Sequence, residues 1–522
     1  MIKRFYLPII LMVILVTATG ICLHALVEYG HDNNRTFSHS QVHPGAGSSP
    51  GRPAMSGQIH QGEPLSHTPI QPNAARPGSG PAPPLQHGDP NKSGPANDYG
   101  LNFLLYFAAG FLLLAGLVYY LYARGKINLA NSNIKFTLLA LLVLGLLFRL
   151  YLATMMEGHA GDLAFFRNWS AAAAQGLTSL YSNTRCDYPP LYIYVLWLVG
   201  KISALAVLQP YSTILLKLPS ILADLATAWL IYGWSRERMA PETSVLLTSF
   251  YIFNPAVFIN STLWGQVDSF FTLLIALAIW ALTKARTGPA AALFTAAVLM
   301  KPQGIIFLPV LAFELLRQRN LKTIIKAALW AVGTSFVITL PFAWQQAAGW
   351  IIYLLTGTIG EYPYASVNAF NLFYLLGANY VPDSQVPFLL SYHYWGMLFI
   401  ILTTLICWWL YVRSNDRNMA ATAALLLITG VFTLGPSMHE RYLFPAIALV
   451  IIAFIGRRDS RLLLLAIGFS LSIFVNTAAI LFGGILNSSP IPQAASLLNL
   501  LLLGGLLWMF YDMSAIKRVN LQ

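Results

Sequence analysis

The chain has 522 residues, of which 57% are hydrophobic and only 10% are charged. Soluble globular domains carry about 25% charged residues, so the composition excludes a water-soluble globule and predicts an all-α polytopic membrane protein. Three well-separated cysteines, Cys22, Cys186 and Cys407, support neither a disulfide framework nor a zinc site.

The first 133 residues of the sequence fall into three segments. Lys3 and Arg4 precede an apolar run, so residues 1–30 are predicted to form a signal anchor or a signal peptide. Residues 31–98 hold 12 of the 30 prolines and six of the ten histidines, which predicts a disordered extracytoplasmic tether. Residues 99–133 are predicted to form an additional transmembrane helix and a cytoplasmic loop, and residues 134–522 the main membrane domain.

Apolar runs recur from residue 101 to the end, and each span needs about 20 residues. Including the first segment, they predict about 14 spans. The other predicted spans lie near 101–123, 134–155, 217–234, 244–260, 268–284, 288–300, 303–316, 323–342, 388–412, 419–436, 442–456, 461–482 and 495–512. Pro189–Ala206 is apolar too, but counting it as a span would invert every later loop, so it is predicted to lie at the outer interface.

The basic residues provide an independent test of this layout. Of the 31 Lys and Arg residues, 20 fall at the predicted inner ends, as the positive-inside rule expects. Four more lie in the tether. The formal charge of +12 is therefore mainly a topology signal, and nucleic-acid binding loses its support. The seven other basic residues, assigned outside the inner face, are Arg149, Arg167, Arg185, Lys201, Lys217, Lys301 and Arg441.

Polar residues gather at the predicted outer ends. Asp162 begins a stretch whose apolar residues have helical spacing, which predicts an amphipathic helix with an aspartate at its N-terminal end. Its local alternative is a helix N-cap, and Asp187, ahead of two prolines, has the same alternative. Lys301 and the run His439-Glu440-Arg441 could each be snorkelling or solvated rim charges.

Together these residues indicate a site at the outer interface. Such a site suits a base acting on an acceptor hydroxyl, with cations stabilising a lipid phosphate as it leaves. The sequence lacks HExxH, GxSxG, Walker and GxGxxG motifs, so a metalloprotease, a serine hydrolase and a nucleotide-driven pump lack their signatures.

Six motifs, in order, carry a family resemblance: GDLAFFRNW, DYPPLYIY, NPAVFINSTLWGQVD, KPQG, SVNAFN and MHERYLFP. The region from about 134 to 512 resembles the GT-C membrane glycosyltransferases. It is most similar to the bacterial mannosyltransferase-like group related to the enzyme that adds the second mannose of glycosylphosphatidylinositol anchors. The resemblance implies a GT-C-like helical bundle, a polyprenyl-phosphate-linked sugar donor, a hydroxyl acceptor, inversion at the sugar carbon and an extracytoplasmic site in a bacterial plasma membrane.

The resemblance also implies roles for individual residues. Asp162 is expected to be the catalytic base and Asp187 a possible second carboxylate, while Lys301, Arg441 and His439 would bind the donor phosphate. Residues expected to bind sugar or acceptor are Trp169, Tyr188, Gln266, Asp268 and Asn368, with Tyr181 and Tyr192 as further stacking rings. No cofactor is identified, and a divalent metal stays open.

Two alternatives to a hexose-transferring enzyme stay open. A transporter or flippase of lipid-linked sugars would place polar residues near the bilayer midplane, where Asp224 is the clear acidic candidate. A membrane scaffold that recruits partners through its tether would leave the outer motifs unexplained.

Overall fold

The computed structural model describes residues 6–41, 98–125, 134–488 and 490–515. Within these ranges the regular elements are helices, accompanied by isolated β-bridges and no strand. This confirms the all-α prediction for the described residues.

In the described ranges the fold consists of twenty α-helices, with short 3₁₀ and π turns between some of them. The first ten are α1 Tyr6–Gln41, α2 Asp98–Ala123, α3 Ile134–Met155, α4 Ala160–Gln175, α5 Leu180–Asn183, α6 Pro190–Ser203, α7 Ser212–Arg236, α8 Pro241–Ile252, α9 Pro255–Phe258 and α10 Asp268–Thr283. The remaining ten are α11 Thr287–Val298, α12 Leu308–Gln318, α13 Leu321–Ala343, α14 Trp350–Ile359, α15 Leu372–Leu375, α16 Tyr392–Ser414, α17 Ala420–Leu434, α18 Ala446–Arg457, α19 Arg461–Phe482 and α20 Ile491–Ala515. A π-helical segment, Ile259–Trp264, follows α9, and a 3₁₀ segment, Pro302–Phe307, precedes α12.

Fewer helices than predicted have the length and composition of a membrane span. In the described ranges nine helices are long and apolar enough to cross a membrane, or ten if the bent pair Pro241–Ile252 and Pro255–Trp264 forms one span. The predicted spans at 268–284, 288–300, 303–316 and 442–456 are the shorter helices α10, α11, α12 and α18, of 16, 12, 11 and 12 residues. Each is below the roughly 20 residues that a span needs, because polar turns such as Lys301-Pro302 interrupt the apolar sequence.

The start of the predicted tether is also wrong. Helix α1 continues without a break to Gln41, so residues 31–41 belong to it. Asn33 Nδ2 donates to the carbonyl oxygen of Pro210 at 2.9 Å, and α1 packs against α3. The rest of the tether, residues 42–97, lies outside the described residues.

The predicted cytoplasmic ends meet at one end of the bundle. Arg238 donates to Asn418 at 2.9 Å, and Arg457 donates to Asp416 at 2.9 Å. Arg317, at the end of α12, donates to Asn415 at 3.2 Å. These contacts join segments up to 180 residues apart, so the basic ends that the charge rule groups in sequence are also grouped in space.

Two of the residues assigned outside the inner face are fully buried within the bundle. Arg149 on α3 is fully buried, and its Nε lies 3.2 Å from Asp224 Oδ2 on α7. Lys217 on α7 is also fully buried and donates to the Met156 carbonyl oxygen at 2.6 Å. Asp224, the acid that favoured transport, therefore has an internal ion-pair partner that explains its presence in the bundle.

The segment predicted to lie at the interface forms α6, whose 14 residues are too few to span. Its helical structure is confirmed, and it packs against α4. The two helices approach closely at Gly200, where a Cβ would clash with the Ser170 carbonyl oxygen. Only glycine fits at this position. The resulting α4–α6 pair supports the start of α4, where Asp162 lies.

Candidate active site

Asp162 lies in the first turn of α4, the amphipathic helix that the sequence predicted. Leu163, Phe166 and Trp169 are buried along one face of this helix, as their spacing requires. The N-cap is His159, whose Nδ1 accepts from the Asp162 backbone N–H at 3.3 Å. The alternative in which Asp162 itself is the cap is therefore wrong, and the Asp162 carboxylate is available for other contacts.

The Asp162 carboxylate is held by three side chains. Its Oδ2 accepts from Trp264 Nε1 and from Gln266 Nε2, each at 2.6 Å, and lies 3.2 Å from His159 Nδ1. Burial raises the pKa of this carboxyl, but the charge of Arg441, the neighbouring His159 and the hydrogen bond from Trp264 outweigh burial and hold the pKa well below its usual range. Asp162 is consequently ionised at neutral pH, as a general base must be.

A π-helical segment brings Trp264 and Gln266 to Asp162. It ends at Gly265, whose φ of 86° is in the left-handed region that favours glycine. The Asn260 carbonyl oxygen accepts from both the Gly265 and Gln266 backbone N–H groups, at 3.1 and 3.0 Å, which fixes the turn. Such π segments are frequent at functional sites.

The same segment is anchored in the bundle. Ser261 Oγ donates to Asp224 Oδ2 at 2.6 Å, and Asp224 is the partner of Arg149. A buried ion pair thus supports the turn that carries Trp264.

Lys301 and Arg441 gather around a second carboxylate, Asp268. Lys301 Nζ donates to Asp268 Oδ1 at 2.5 Å, and Asn260 Nδ2 donates to Asp268 Oδ2 at 3.1 Å. Arg441 Nε is 3.9 Å from Asp268 Oδ2, too far for a hydrogen bond. Lys301 and Asp268 are only 5% and 3% exposed, so the charges face each other in a poorly hydrated space.

Arg441 connects this carboxylate to the Asp162 side of the site. Its guanidinium carbon lies 5.5 Å from the centroid of the Trp264 ring, a cation–π contact, and the same ring donates to Asp162. Arg441 also pairs with Glu440. Among the described residues, Arg441 Nε is buried without a hydrogen-bond partner.

The pKa values of the two cations are shifted in opposite directions. Burial lowers the pKa of Lys301 and outweighs the opposing effect of Asp268. For Arg441, burial also lowers the pKa, but Glu440, Asp162 and Asp268 together raise it well above the usual value. Arg441 is therefore a permanent cation in the site.

His439 lies beside these charges within an aromatic group. Its ring centroid is 4.6 Å from that of Tyr362 and 4.9 Å from that of Tyr442. Phosphate binding by His439 stays a prediction.

Glu361 is a site residue that the sequence analysis missed. It follows α14, a helix absent from the predicted spans, and its carboxyl hydrogen-bonds that of Asp187. Thr358 Oγ1 donates to the Asp187 carbonyl oxygen at 2.9 Å and fixes this approach. Burial and the charge of Asp187 raise the pKa of Glu361 to about 7. Asp187 is not the cap of α6, since that position is Pro189, and its pKa is also raised, chiefly by burial.

The predicted stacking rings differ in how accessible they are. Trp169 and Tyr192 are buried, and their rings already pack against other aromatic rings, so the stacking expected of them is not favoured. Trp169 Nε1 instead donates to the Arg185 carbonyl oxygen at 3.0 Å. Tyr188 is half-buried, and Tyr181 donates to its carbonyl oxygen at 2.7 Å.

Asn368 contacts the site through its backbone, which pairs with His439. It has a φ of 58° and forms a bridge with His439, while its side chain donates to the Tyr380 hydroxyl at 2.9 Å. Sugar or acceptor binding by Asn368 stays a prediction. In the described part of the chain, no group of three or more His, Cys, Asp and Glu side chains is arranged to hold a metal ion.

Comparison with known proteins supports glycosyl transfer. Residues 186–436 match the model of glycosyltransferase family 87. The match spans just under half of the chain. It supports a membrane glycosyltransferase of the GT-C type, which acts on a sugar donor and an acceptor. The matched range includes Asp187, Gln266, Asp268 and Lys301, whereas Asp162 and Arg441 lie on either side of it. No curated protein is significantly similar to the chain.

Proposed function

We propose that this protein transfers a hexose, mannose in particular, from a polyprenyl-phosphate donor to a hydroxyl acceptor with inversion. The observation that carries the proposal is the arrangement around Trp264. The ring donates to the Asp162 carboxylate and stacks on Arg441, so that a base and a cation with an unpartnered Nε lie on the two sides of one side chain. This is the pair of groups that hydroxyl activation and phosphate departure require.

In the proposed reaction Asp162 accepts the proton of the acceptor hydroxyl as its oxygen bonds to the anomeric carbon. The bond from that carbon to the phosphate oxygen breaks, and the departing polyprenyl phosphate gains one negative charge. Lys301 and Arg441 stabilise that charge. Since the hydroxyl attacks opposite to the leaving phosphate, the anomeric configuration inverts, and no second catalytic acid is needed.

Arg441 couples donor binding to the strength of the base. Without a phosphate, the Arg441 charge helps to lower the pKa of Asp162. A donor phosphate that binds Arg441 neutralises part of this charge, so the Asp162 pKa rises and its affinity for the acceptor proton increases. Asp162 thereby becomes a stronger base when the donor is in place.

We place this site on the extracytoplasmic face of a bacterial plasma membrane. The convergence of Arg238, Arg317 and Arg457 with their partners at one end of the bundle supports a cytoplasmic assignment for that end by the positive-inside rule. A donor on the outer face is then a lipid-linked sugar, because soluble sugar nucleotides are cytoplasmic.

The test is a panel of polyprenyl-phosphate sugars offered to the purified protein with mixed hydroxyl acceptors. We expect the mannosyl donor to be consumed and the product to have the opposite anomeric configuration, with Asp162→Asn as the inactive control. Consumption of a different sugar would correct the donor, and consumption of none would refute the proposal. Movement of an unchanged lipid-linked sugar across proteoliposomes would favour the flippase alternative.

A further inference from the structure

Two buried side-chain amides in the site each donate a hydrogen bond from their nitrogen to a carboxylate. Gln266 Nε2 donates to Asp162 Oδ2 at 2.6 Å, and Asn260 Nδ2 donates to Asp268 Oδ2 at 3.1 Å. An ionised carboxylate only accepts hydrogen bonds. The chemistry therefore fixes which end of each amide faces its carboxylate, and the carbonyl oxygens must face elsewhere.

Those two carbonyl oxygens have no donor. Gln266 Oε1 and Asn260 Oδ1 are buried without a hydrogen-bond partner in the part of the chain that the structure describes, and the two residues are 1% and 0% exposed. Buried polar groups in folded proteins are nearly always hydrogen-bonded. Other buried side-chain atoms of the described residues also lack partners, but these two lie six residues apart on one turn, and each belongs to an amide bonded to a site carboxylate. That placement indicates groups that a ligand completes.

The chemistry of the surroundings limits the ligand. Each free oxygen can bind an O–H or N–H donor or a cation, while the unpartnered Arg441 Nε requires an acceptor or an anion. A cationic donor would be repelled by Lys301 and Arg441, both of which lie against Asp268. A neutral polyol that bears a phosphate meets both requirements.

We propose that Gln266 and Asn260 are specificity-determining residues whose side-chain carbonyl oxygens each accept a hydrogen bond from a different hydroxyl of the donor sugar. The proposal rests on the proposed function and deepens it. A donor that lacks one of these hydroxyls leaves a buried acceptor unpaired, and sites built to bond a substrate hydroxyl discriminate strongly against the deoxy analogue. We expect the loss of kcat/KM to be about 10- to 100-fold for each of the two hydroxyls.

The experiment measures kcat/KM for the intact donor and for its 2-, 3-, 4- and 6-deoxy analogues in purified full-length protein. In Asn260→Ala the discrimination should disappear at one hydroxyl and persist at the others, and in Gln266→Ala it should disappear at a different hydroxyl. Ratios between donors within one variant cancel a general loss of folding or activity. If one variant does not fold, the other variant still tests whether its amide oxygen binds a donor hydroxyl.

Asn254 supplies a matched control. It is also a fully buried asparagine, but both ends of its amide are satisfied, by the Ala256 N–H at 3.0 Å and by Ser470 Oγ at 2.7 Å. Asn254→Ala should therefore keep the wild-type pattern of discrimination. If the wild type is active and both site variants discriminate between the donors as it does, the assignment of Gln266 and Asn260 is overturned and the proposed function is not. A wild type that uses no polyprenyl-phosphate sugar would overturn the proposed function and this assignment with it.

Discussion

Replacing Asp162 with asparagine separates catalysis from structure, because asparagine keeps the shape of the side chain and loses its charge and its basicity. The amide oxygen can still accept from Trp264 and Gln266, whose nitrogens lie 2.6 Å from Asp162 Oδ2. Hydrogen bonds to charged groups contribute about 1.5–3 kcal/mol and neutral ones about 0.5–1.5 kcal/mol. Because two bonds are weakened, the substitution should destabilise the fold by about 2–3 kcal/mol.

The expected effect on transfer is much larger. A positioned general base contributes about 10²- to 10⁴-fold to a rate, so Asp162→Asn should lower kcat at least about 10²-fold. The donor KM should change little, since Lys301 and Arg441 remain in place. The assay is transfer from the polyprenyl donor at native expression, with folding followed by thermal unfolding in detergent.

The pH dependence gives a second check on the same variant. A folded pKa below the unfolded value, about 3.9 for aspartate, means that the carboxylate contributes stability above that pH and loses it as the pH falls further. The difference in stability between wild type and Asp162→Asn should thus be constant from pH 5 to 7 and narrow only below about pH 4. Near-normal transfer by Asp162→Asn would refute the catalytic role. If Asp187→Asn alone is inactive, the base is Asp187 instead.

Three further predictions follow from the charges and the fold. Lys301→Ala and Arg441→Ala should each reduce kcat by about 10²-fold. Arg441→Lys should not restore kcat fully, because lysine cannot make a bidentate contact. Normal turnover in both alanine variants would mean that these residues are only charges at the rim of the site. Labelling of single cysteines should reach Gly360 from outside and Asn415 from the cytoplasm, and finding both on the same side would overturn the proposed orientation. The folded pKa of Glu361, about 7, lies above the ordinary value of about 4.3, so its contribution to stability should fall as the pH rises between these values. Glu361→Gln should remove this fall when thermal unfolding is measured over that range. An identical pH profile in the variant would contradict the pairing of the Glu361 and Asp187 carboxyls.

Much of the local structure could be predicted from the sequence. The all-α class follows from composition, since a chain this apolar must satisfy its backbone within helices when it enters a membrane. Helix α4 follows from the spacing of Leu163, Phe166 and Trp169, because amphipathic periodicity is encoded in neighbouring residues. Asp162 and Arg441 could be chosen as candidates because charge in an apolar chain is costly and rarely incidental.

Other features depend on contacts that no local pattern encodes. The partners of Asp162 are 102 and 104 residues away in sequence, and Glu361 reaches Asp187 only through the packing of α14. More spans were predicted than there are helices of spanning length and composition among the described residues, because hydropathy does not show where Lys301 or His439 breaks a helix. Trp169 carried the same aromatic signal as an open stacking ring, yet tertiary packing buries it. Sequence alone determined which groups the protein contains, and only the fold decided which of them meet, because pairing and burial arise between distant segments.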